Sequence, residues 1–258
     1  MKKGRVSCLL HAALFIPQLK TFIFDTEVSM CLQSFEEWKN DNPRLTYLID
    51  FCEAIKNVKP DYYGTEYRKR NENENIIKMQ YLERVFAYEL YHQFRKKTED
   101  PPEYANLRLD AELVKYNWNG EYNDFGIAID RIPSYFSPDL VLHHSQKEHQ
   151  RNQKLIVEIK PSKNASPKNI QRDIIKLYNY VIKLNFESAV FLIFGKRDDL
   201  TALEVFTPHL AGNEEYFGKI YIVNSYFEGE NPIIIININS LKNILERRAR
   251  DPLQEMRQ

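Results

Sequence analysis

Glycine and cysteine are scarce in this sequence, and their scarcity excludes several classes of protein. The chain of 258 residues has eight glycines, and none of them belongs to a GxGxxG, GxxxxGKS/T or GxSxG pattern. A glycine-rich phosphate loop and the nucleophile turn of the α/β-hydrolases are therefore excluded. The three cysteines, Cys8, Cys31 and Cys52, form no CxxC pair. This spacing argues against structural zinc and a disulfide framework, and it favours a reducing, cytoplasmic compartment.

The sequence also lacks an excess of charge of either sign and a long hydrophobic run. The 36 Lys and Arg residues balance 36 Asp and Glu residues, so any basic surface for nucleic acid has to be local. The apolar stretch 6–16 follows a basic start, which is the outline of a short secretion signal. Because His11 interrupts it and it is too short to span a bilayer, we expect a buried strand or helix and no membrane partner. Alternatively, Met30 is the natural start of the chain.

The spacing of apolar residues predicts an α/β protein with a mixed sheet. A first helix is predicted after Ser34, which can form a capping box with Glu37. Further helices are predicted at 45–55, 76–97, 167–184 and 240–256, and strands at 107–114, 140–143, 155–159, 189–194, 220–223 and 233–238. The polar stretch 57–75 is predicted to be a linker or an exposed loop. These elements divide the chain into an N-terminal helical extension, 1–75, and a second domain, 76–258.

Two short sequences at the ends of apolar strands carry the chemistry. Pro138-Asp139 precedes the strand at 140–143, and Glu158-Ile159-Lys160 begins nineteen residues after the aspartate, at the end of the next strand. Neighbouring strands of one sheet could bring these two carboxylates and the ammonium group together. Carboxylate oxygens are the ligands that a hard cation such as Mg²⁺ prefers, and an adjacent lysine can position an attacking water. This combination predicts metal-assisted hydrolysis of a phosphodiester.

The order Pro-Asp, then Glu-x-Lys, resembles the signature of the PD-(D/E)XK nuclease superfamily, with glutamate in the middle position. The resemblance covers residues 76–195, where a helix, three strands, a helix and a strand follow one another. It implies a restriction-endonuclease-like fold, a mixed central sheet flanked by helices, with N-terminal helical and C-terminal β/α additions. Members often add an acidic residue from the helix before the first strand. Here Glu89 is the first choice for this additional metal ligand and Glu83 is the alternative.

The resemblance implies a DNA nuclease that depends on Mg²⁺, with Mn²⁺ as the alternative ion. Asp139 and Glu158 would hold the cation, with Glu89 supporting it, and Lys160 would contact the phosphate or assist the attacking water. The following helix supplies the candidates for binding nucleic acid, Lys168, Gln171, Arg172 and Lys176. An exonuclease-like branch of the superfamily has tyrosine four residues after this glutamine, but Ile175 stands there, so the chain departs from that branch.

Three further interpretations remain open at the level of the sequence. A module of the same fold could bind nucleic acid or a protein without cutting it. His143 or His144 could join His149 in a transition-metal site, although adjacent residues on a strand point to opposite faces. Asp110 and Glu112 share a face of the first strand and could approach the metal or stay solvated. Because one cation site cuts one strand, cleavage of a duplex suggests a homodimer.

Overall fold

The structure, a computed structural model, describes residues 33–71, 74–111, 138–144, 153–195, 216, 218–226 and 233–239. Its α-helices are α1 (Phe35–Asp41), α2 (Thr46–Lys56), α3 (Glu83–Thr98) and α4 (Pro167–Leu184). Its strands are β1 (Gln33–Ser34), β2 (Gly64–Asn71), β3 (Glu74–Tyr81), β4 (Leu107–Ala111), β5 (Leu140–His144), β6 (Gln153–Pro161), β7 (Ser188–Gly195), β8 (Ile220–Tyr226) and β9 (Ile233–Asn237). Short 3₁₀ turns occupy Pro60–Tyr62, Pro102–Tyr104 and Ser162–Asn164.

Seven of the strands form one mixed sheet. Their order across the sheet is β1-β9-β8-β7-β6-β5-β4, while β2 and β3 form a separate antiparallel hairpin. The central strands β6, β7 and β8 run parallel, and the outer pairs are antiparallel. Helix α4 makes the crossover that two parallel neighbours, β6 and β7, require. The predicted α/β class with a mixed sheet is therefore confirmed.

Each face of the sheet packs against helices and has its own apolar core. On one face, residues of α4 such as Ile174 pack with Ile156 of β6. On the opposite face, helices α1, α2 and α3 pack against the sheet, and Phe86 of α3 stacks on Phe194 of β7 with ring centroids 4.0 Å apart. Because side chains alternate along a strand, the even-numbered residues of β6 face α4 and the odd-numbered ones face the other helices.

The N-terminal helices belong to the same core as the sheet. Phe35 and Trp38 of α1 and Phe51 of α2 are buried together with residues of β6, β7 and β9. Strand β1 also pairs with β9 at the edge of the sheet. Residue 75, where the sequence analysis divides the chain, lies within the β2–β3 hairpin.

Several local predictions are confirmed by the structure. Ser34 caps α1 through a capping box, in which the Glu37 N–H donates to the Ser34 hydroxyl at 3.3 Å and the Ser34 N–H donates to the Glu37 carboxylate at 3.0 Å. Helix α4 has the predicted bounds, and strands are present at the six predicted positions that fall within the described residues. The end of the first predicted strand, 112–114, and the C-terminal helix predicted at 240–256 lie outside the described residues.

Two predictions between residues 57 and 82 are wrong. The stretch predicted to be a loop contains β2, and the stretch predicted to be the start of a long helix is β3, so α3 begins only at Glu83. Ile76 and Met79 have helical spacing, but pairing with β2 decides their conformation, and a non-local pairing leaves no trace in the periodicity. Gly64 is a local sign of this hairpin, because a Cβ there would lie 2.4 Å from the Gln80 carbonyl oxygen.

In the part of the chain that the structure describes, no helix combines the length and the apolar character needed to cross a lipid bilayer.

Candidate active site

Strands β5 and β6 bring the Pro-Asp and Glu-x-Lys sequences together. Asp139 lies directly before β5, and β5 pairs antiparallel with β6. The Asp139 N–H donates to the Val157 carbonyl at 3.0 Å, and the Ile159 N–H donates to Asp139 Oδ2 at 2.6 Å. These bonds are made on either side of Glu158 in the sequence. The backbone of β6 therefore fixes the carboxylate of Asp139 next to this part of the strand.

Glu158 is buried between the sheet and helix α4. Alternate residues of a strand share a face, so Glu158 and Lys160 lie on the face to which Ile156 belongs and which α4 covers. Only 2% of Glu158 is exposed. The ammonium group of Lys176, from α4, lies 3.3 Å from Glu158 Oε2. A glutamate of the strand is thus paired with a lysine of the helix in the interior of the protein.

Asp173, three residues before Lys176 on α4, adds a fully buried carboxylate. Its Oδ1 lies 3.2 Å from the Lys176 ammonium and its Oδ2 lies 3.8 Å from the Lys160 ammonium. The Lys160 ammonium also lies 3.6 Å from Oε1 of Glu83, at the start of α3, and 3.3 Å from the carbonyl of Ile159. The two lysines therefore link carboxylates that come from three different elements.

These side chains form one electrostatic unit, which we call the carboxylate–lysine cluster. Its members are Glu83, Asp139, Glu158, Lys160, Asp173 and Lys176. With all six groups ionised, four carboxylates and two ammonium groups carry a formal charge of −2. One divalent cation would neutralise this charge.

Burial makes ionisation of the two motif carboxylates unfavourable. It raises the pKa of Asp139 to about 6, although the hydrogen bond from Ile159 and the charge of Lys160 act in the opposite direction. Burial, reinforced by the negative charge of Asp139, raises the pKa of Glu158 to about 8. For Lys176, burial favours the neutral amine, but the carboxylates of Glu158 and Asp173 outweigh it and raise the pKa of the ammonium group. With all groups ionised, the cluster therefore carries a net negative charge that water solvates poorly, because its carboxylates are buried.

Two oxygen atoms of the cluster are buried without a hydrogen-bond donor from the described part of the chain. They are Glu158 Oε1 and Asp173 Oδ2. A buried acceptor without a partner is unfavourable by about 1–3 kcal/mol, and an ion or a ligand is one explanation for such an atom. Glu158 thus has one oxygen paired with Lys176 and a second oxygen that can serve as a ligand.

The donor set fits a hard divalent cation held by two protein side chains. No group of three or more His, Cys, Asp or Glu side chains is arranged to hold a metal ion within the described ranges. Mg²⁺, however, is commonly held by one or two carboxylates, with waters and substrate phosphates completing its coordination. Asp139 and Glu158 are the two carboxylates that could hold it.

Helix α3 carries Glu83 and Glu89, the two glutamates considered as additional metal ligands, and the structure places them in different surroundings. Glu83, the alternative in the sequence analysis, is the residue that reaches the cluster. Glu89, the first choice, accepts a hydrogen bond from Gln93 Nε2 at 2.5 Å on the same helix. Six residues of helix separate Glu89 from Glu83, which is about 9 Å along the axis. Among the described contacts, none joins Glu89 to the cluster.

Of the residues of α4 proposed to bind nucleic acid, the two whose side chains are described, Arg172 and Lys176, differ in exposure. Arg172 is exposed and lies 3.4 Å from Asp173 Oδ1 through its Nε atom. Lys176, by contrast, points into the cluster, and only 13% of its side chain is exposed. The side chains of Lys168 and Gln171 lie outside the described part of the chain. Arg172 thus remains available to a phosphate backbone, whereas Lys176 belongs to the site itself.

His143 pairs with Asp110, a residue that the proposed histidine metal site did not include. His143 is buried, and its Nε2 lies 2.8 Å from Oδ2 of Asp110 on the neighbouring strand. Arg108 Nε lies 2.7 Å from the other oxygen of Asp110. His149 and Glu112 lie outside the described residues. Asp110 is therefore engaged by a histidine and an arginine of the β4–β5 pair.

Asp173 is the site residue that the sequence analysis missed. It lies within the apolar stripe of α4, between Ile170 and Leu177, and next to Ile174, all of which are buried. A charged residue inside the buried stripe of an amphipathic helix needs a buried partner, and this was the signal that could have identified it. The same spacing places Lys176 at the edge of that stripe rather than on the solvent face.

Comparison with known proteins gives no match: no family model, no curated protein and no solved structure is similar to this chain.

Proposed function

We propose that the chain is a Mg²⁺-dependent nuclease that hydrolyses phosphodiester bonds of DNA, with the restriction-endonuclease-like arrangement of its core. The observation that supports this most is the approach of Asp139, Glu158 and Lys160 on one face of the sheet. The order of elements is the one that the resemblance implies. Among the described elements, helix α3, strands β4, β5 and β6, helix α4 and strand β7 follow one another; Asp139 lies directly before the second of these strands, and Glu158 and Lys160 lie on the third.

Each residue of the motif has a defined part in the proposed reaction. Asp139 and Glu158 bind the cation, and the backbone bonds of Asp139 keep it in place before binding. A bound divalent cation supplies Lewis acid stabilisation of the phosphate and lowers the pKa of a coordinated water. Lys160 donates hydrogen bonds to the phosphate or to the attacking water. Burial of the carboxylates excludes bulk water, which strengthens these electrostatic interactions.

A non-catalytic module that binds nucleic acid or a protein is the second candidate. It is favoured by the pairing of Glu158 with Lys176, because this pair compensates part of the buried negative charge without a divalent cation. In such a module, the cluster would serve only to join α4 to the sheet. The two functions differ in whether binding of a divalent cation depends on Asp139.

Replacing Asp139 with asparagine tests the proposed reaction. Asparagine can still accept the hydrogen bond from Ile159, so the fold is expected to persist, but it lacks the charge that attracts the cation. Loss of an outer-shell partner of a metal reduces activity or affinity by about 10–100-fold, so loss of a ligand is expected to reduce Mg²⁺-dependent cleavage by at least about 100-fold. The assay follows cleavage of plasmid, linear duplex and single-stranded DNA in Mg²⁺ and in a chelator.

The matched control is Asp61→Asn, which removes a carboxylate from an exposed position outside the cluster. It is expected to cleave at the native rate. Native-like cleavage by Asp139→Asn would refute the assignment of this residue, and absence of cation-dependent cleavage by the native chain on all three substrates would favour the binding module.

A further inference from the structure

The lysine in closest contact with the Glu158 carboxylate is Lys176, not the lysine of the Glu-x-Lys sequence. The Lys176 ammonium lies 3.3 Å from Glu158 Oε2. The Lys160 ammonium instead makes a hydrogen bond of 3.3 Å to the carbonyl of its neighbour Ile159 and lies farther, 3.6 and 3.8 Å, from carboxylate oxygens of Glu83 and Asp173. Helix α4 thus supplies the ammonium group that is in direct contact with the buried strand glutamate.

Asp173 is placed to hold Lys176, whose ammonium group lies 3.2 Å from Oδ1, whereas the ammonium group of Lys160 is farther away, 3.8 Å from Oδ2. This aspartate is fully buried. A lysine side chain has about 2 kcal/mol of rotamer entropy, so a fixed anion is needed to keep its ammonium group in one position. Asp173 lies in the middle of an 18-residue helix, so its position is determined by the packing of α4.

Among the described residues, the contacts of Lys176 leave one of its donors for a ligand. An ammonium group has three N–H donors, and the contacts to Glu158 and Asp173 account for two of them. The side chain is 13% exposed, so it reaches the boundary between the cluster and solvent. A phosphate oxygen of a nucleic acid is a ligand that a positioned ammonium group at such a place would bind.

We infer that Lys176 supplies a second ammonium group to the reacting phosphate and that Asp173 is a positioning residue acting through Lys176. This inference rests on the proposed nuclease function, because it assigns residues to that reaction. Lys176 would stabilise the negative charge that develops on the non-bridging oxygens. Asp173 would hold Lys176 beside Glu158 without binding the cation itself, which agrees with the absence of a three-carboxylate metal group among the described residues.

A double-mutant cycle on the full chain tests whether Asp173 acts through Lys176. Lys176→Met is expected to reduce the single-turnover rate of Mg²⁺-dependent DNA cleavage by about 100-fold, the effect of removing one preorganised donor. Asp173→Asn is expected to reduce it by about 10-fold or more, and the double variant to be no slower than Lys176→Met. The conservative variant Lys176→Arg is expected to recover part of the rate. If the double variant is instead slower than the native chain by the product of the two single effects, the inference is overturned.

Titration with Mn²⁺ provides a readout that does not depend on cleavage. If Asp173 only positions Lys176, the Mn²⁺ affinity of Asp173→Asn is expected to stay within about threefold of the native value, below the 10–100-fold loss typical of altered metal shells. A loss of 10-fold or more would make Asp173 a ligand and overturn its positioning role. The control pair is Lys154→Met and Glu187→Gln, which removes an ion pair near the other end of β6; both variants are expected to match the native chain.

The outcomes separate this inference from the proposed function. Removal of Lys176 leaves two buried carboxylates without their shared cation, and breaking a buried pair can destabilise a protein by about 3–5 kcal/mol. If Lys176→Met does not fold, Asp173→Asn and Lys176→Arg decide the question, because a native cleavage rate in Asp173→Asn would overturn the inference. If the native chain cleaves DNA and these variants cleave it equally well, the inference is refuted and the proposed function is not. A native chain that neither binds Mn²⁺ nor cleaves refutes both.

Discussion

Replacing Glu158 with glutamine is expected to abolish Mg²⁺-dependent cleavage and, in the absence of divalent ions at pH 8, to stabilise the fold. Both effects arise from one buried carboxylate. Glu158 is 2% exposed, one of its oxygens has no hydrogen-bond donor among the described residues, and its pKa is raised to about 8 by burial and by Asp139. The ionised form of Glu158, which would bind a divalent cation, is therefore also the form that destabilises the fold.

The magnitudes follow from these surroundings. Glutamine has the shape of the protonated glutamate but lacks the charged oxygen, so cleavage is expected to fall by about 1000-fold, the upper range for removal of one group that stabilises charge in a transition state. The free energy of unfolding at pH 8 is expected to increase by at least about 1 kcal/mol, since each unit of pKa shift corresponds to about 1.4 kcal/mol. Lys176 keeps Asp173 as its partner in this variant, so no cation is left unpaired.

Denaturant unfolding in a chelator at pH 8 and a cleavage assay in Mg²⁺ measure the two effects. Glu187→Gln is the matched control, because this glutamate is 40% exposed and lies outside the cluster. It is expected to cleave normally and to change stability little. A Glu158→Gln variant that is less stable than the native chain at pH 8 would contradict the unfavourable burial of this charge. Residual cleavage at the native rate would contradict its role as a cation ligand.

The second large effect is a loss of stability as the pH rises, which Mg²⁺ reverses. In the folded chain, Glu158 keeps its proton up to about pH 8 and Asp139 keeps its proton up to about pH 6, compared with ordinary values of 4.5 and 3.8. Between the ordinary and the raised pKa of each group, the folded state binds more protons than the unfolded state. The free energy of unfolding therefore falls with increasing pH in this range. The total loss is on the order of a few kcal/mol.

Thermal unfolding from about pH 5 to about pH 8 tests this dependence. Without divalent ions, the melting temperature is expected to decrease across the range. Mg²⁺ binds the ionised carboxylates, so its stabilising effect is expected to be larger at the alkaline end than at the acidic end. The variant Glu158→Gln should flatten the curve without Mg²⁺ and remove most of the response to Mg²⁺. A melting temperature that rises over this range in a chelator would contradict the raised pKa values.

The sequence predicts those parts of the fold in which local pattern and tertiary packing agree. Helix α4 was predicted at its observed bounds, because Pro167 suits its first turn and an apolar stripe runs along it. The buried strands β7 and β8 were predicted from apolar runs, which in a parallel sheet are buried on both faces. The β2–β3 hairpin was missed, since its identity depends on pairing between two segments that are polar or helical in their local pattern.

The residues of the candidate site also fall into two groups, those that the sequence pattern identifies and those that depend on tertiary packing. Asp139, Glu158 and Lys160 could be identified because their order and their position at strand ends are visible along the chain. Asp173 and the inward orientation of Lys176 could not, because they depend on how α4 crosses β6. The choice between Glu83 and Glu89 depended on where α3 begins. The helical spacing placed that start too early, and only the hairpin before α3 puts Glu83 at the first turn of the helix, next to Lys160.

Diffraction from crystals of the full chain soaked in Mn²⁺ shows whether a cation binds at the cluster, because the anomalous signal of the metal locates it independently of the protein atoms. We expect one ion within coordination distance, about 2 Å, of carboxylate oxygens from both Asp139 and Glu158, with Asp173 still paired to Lys176. An ordered crystal in which no ion lies between Asp139 and Glu158, or in which Mn²⁺ binds only elsewhere, would contradict this expectation.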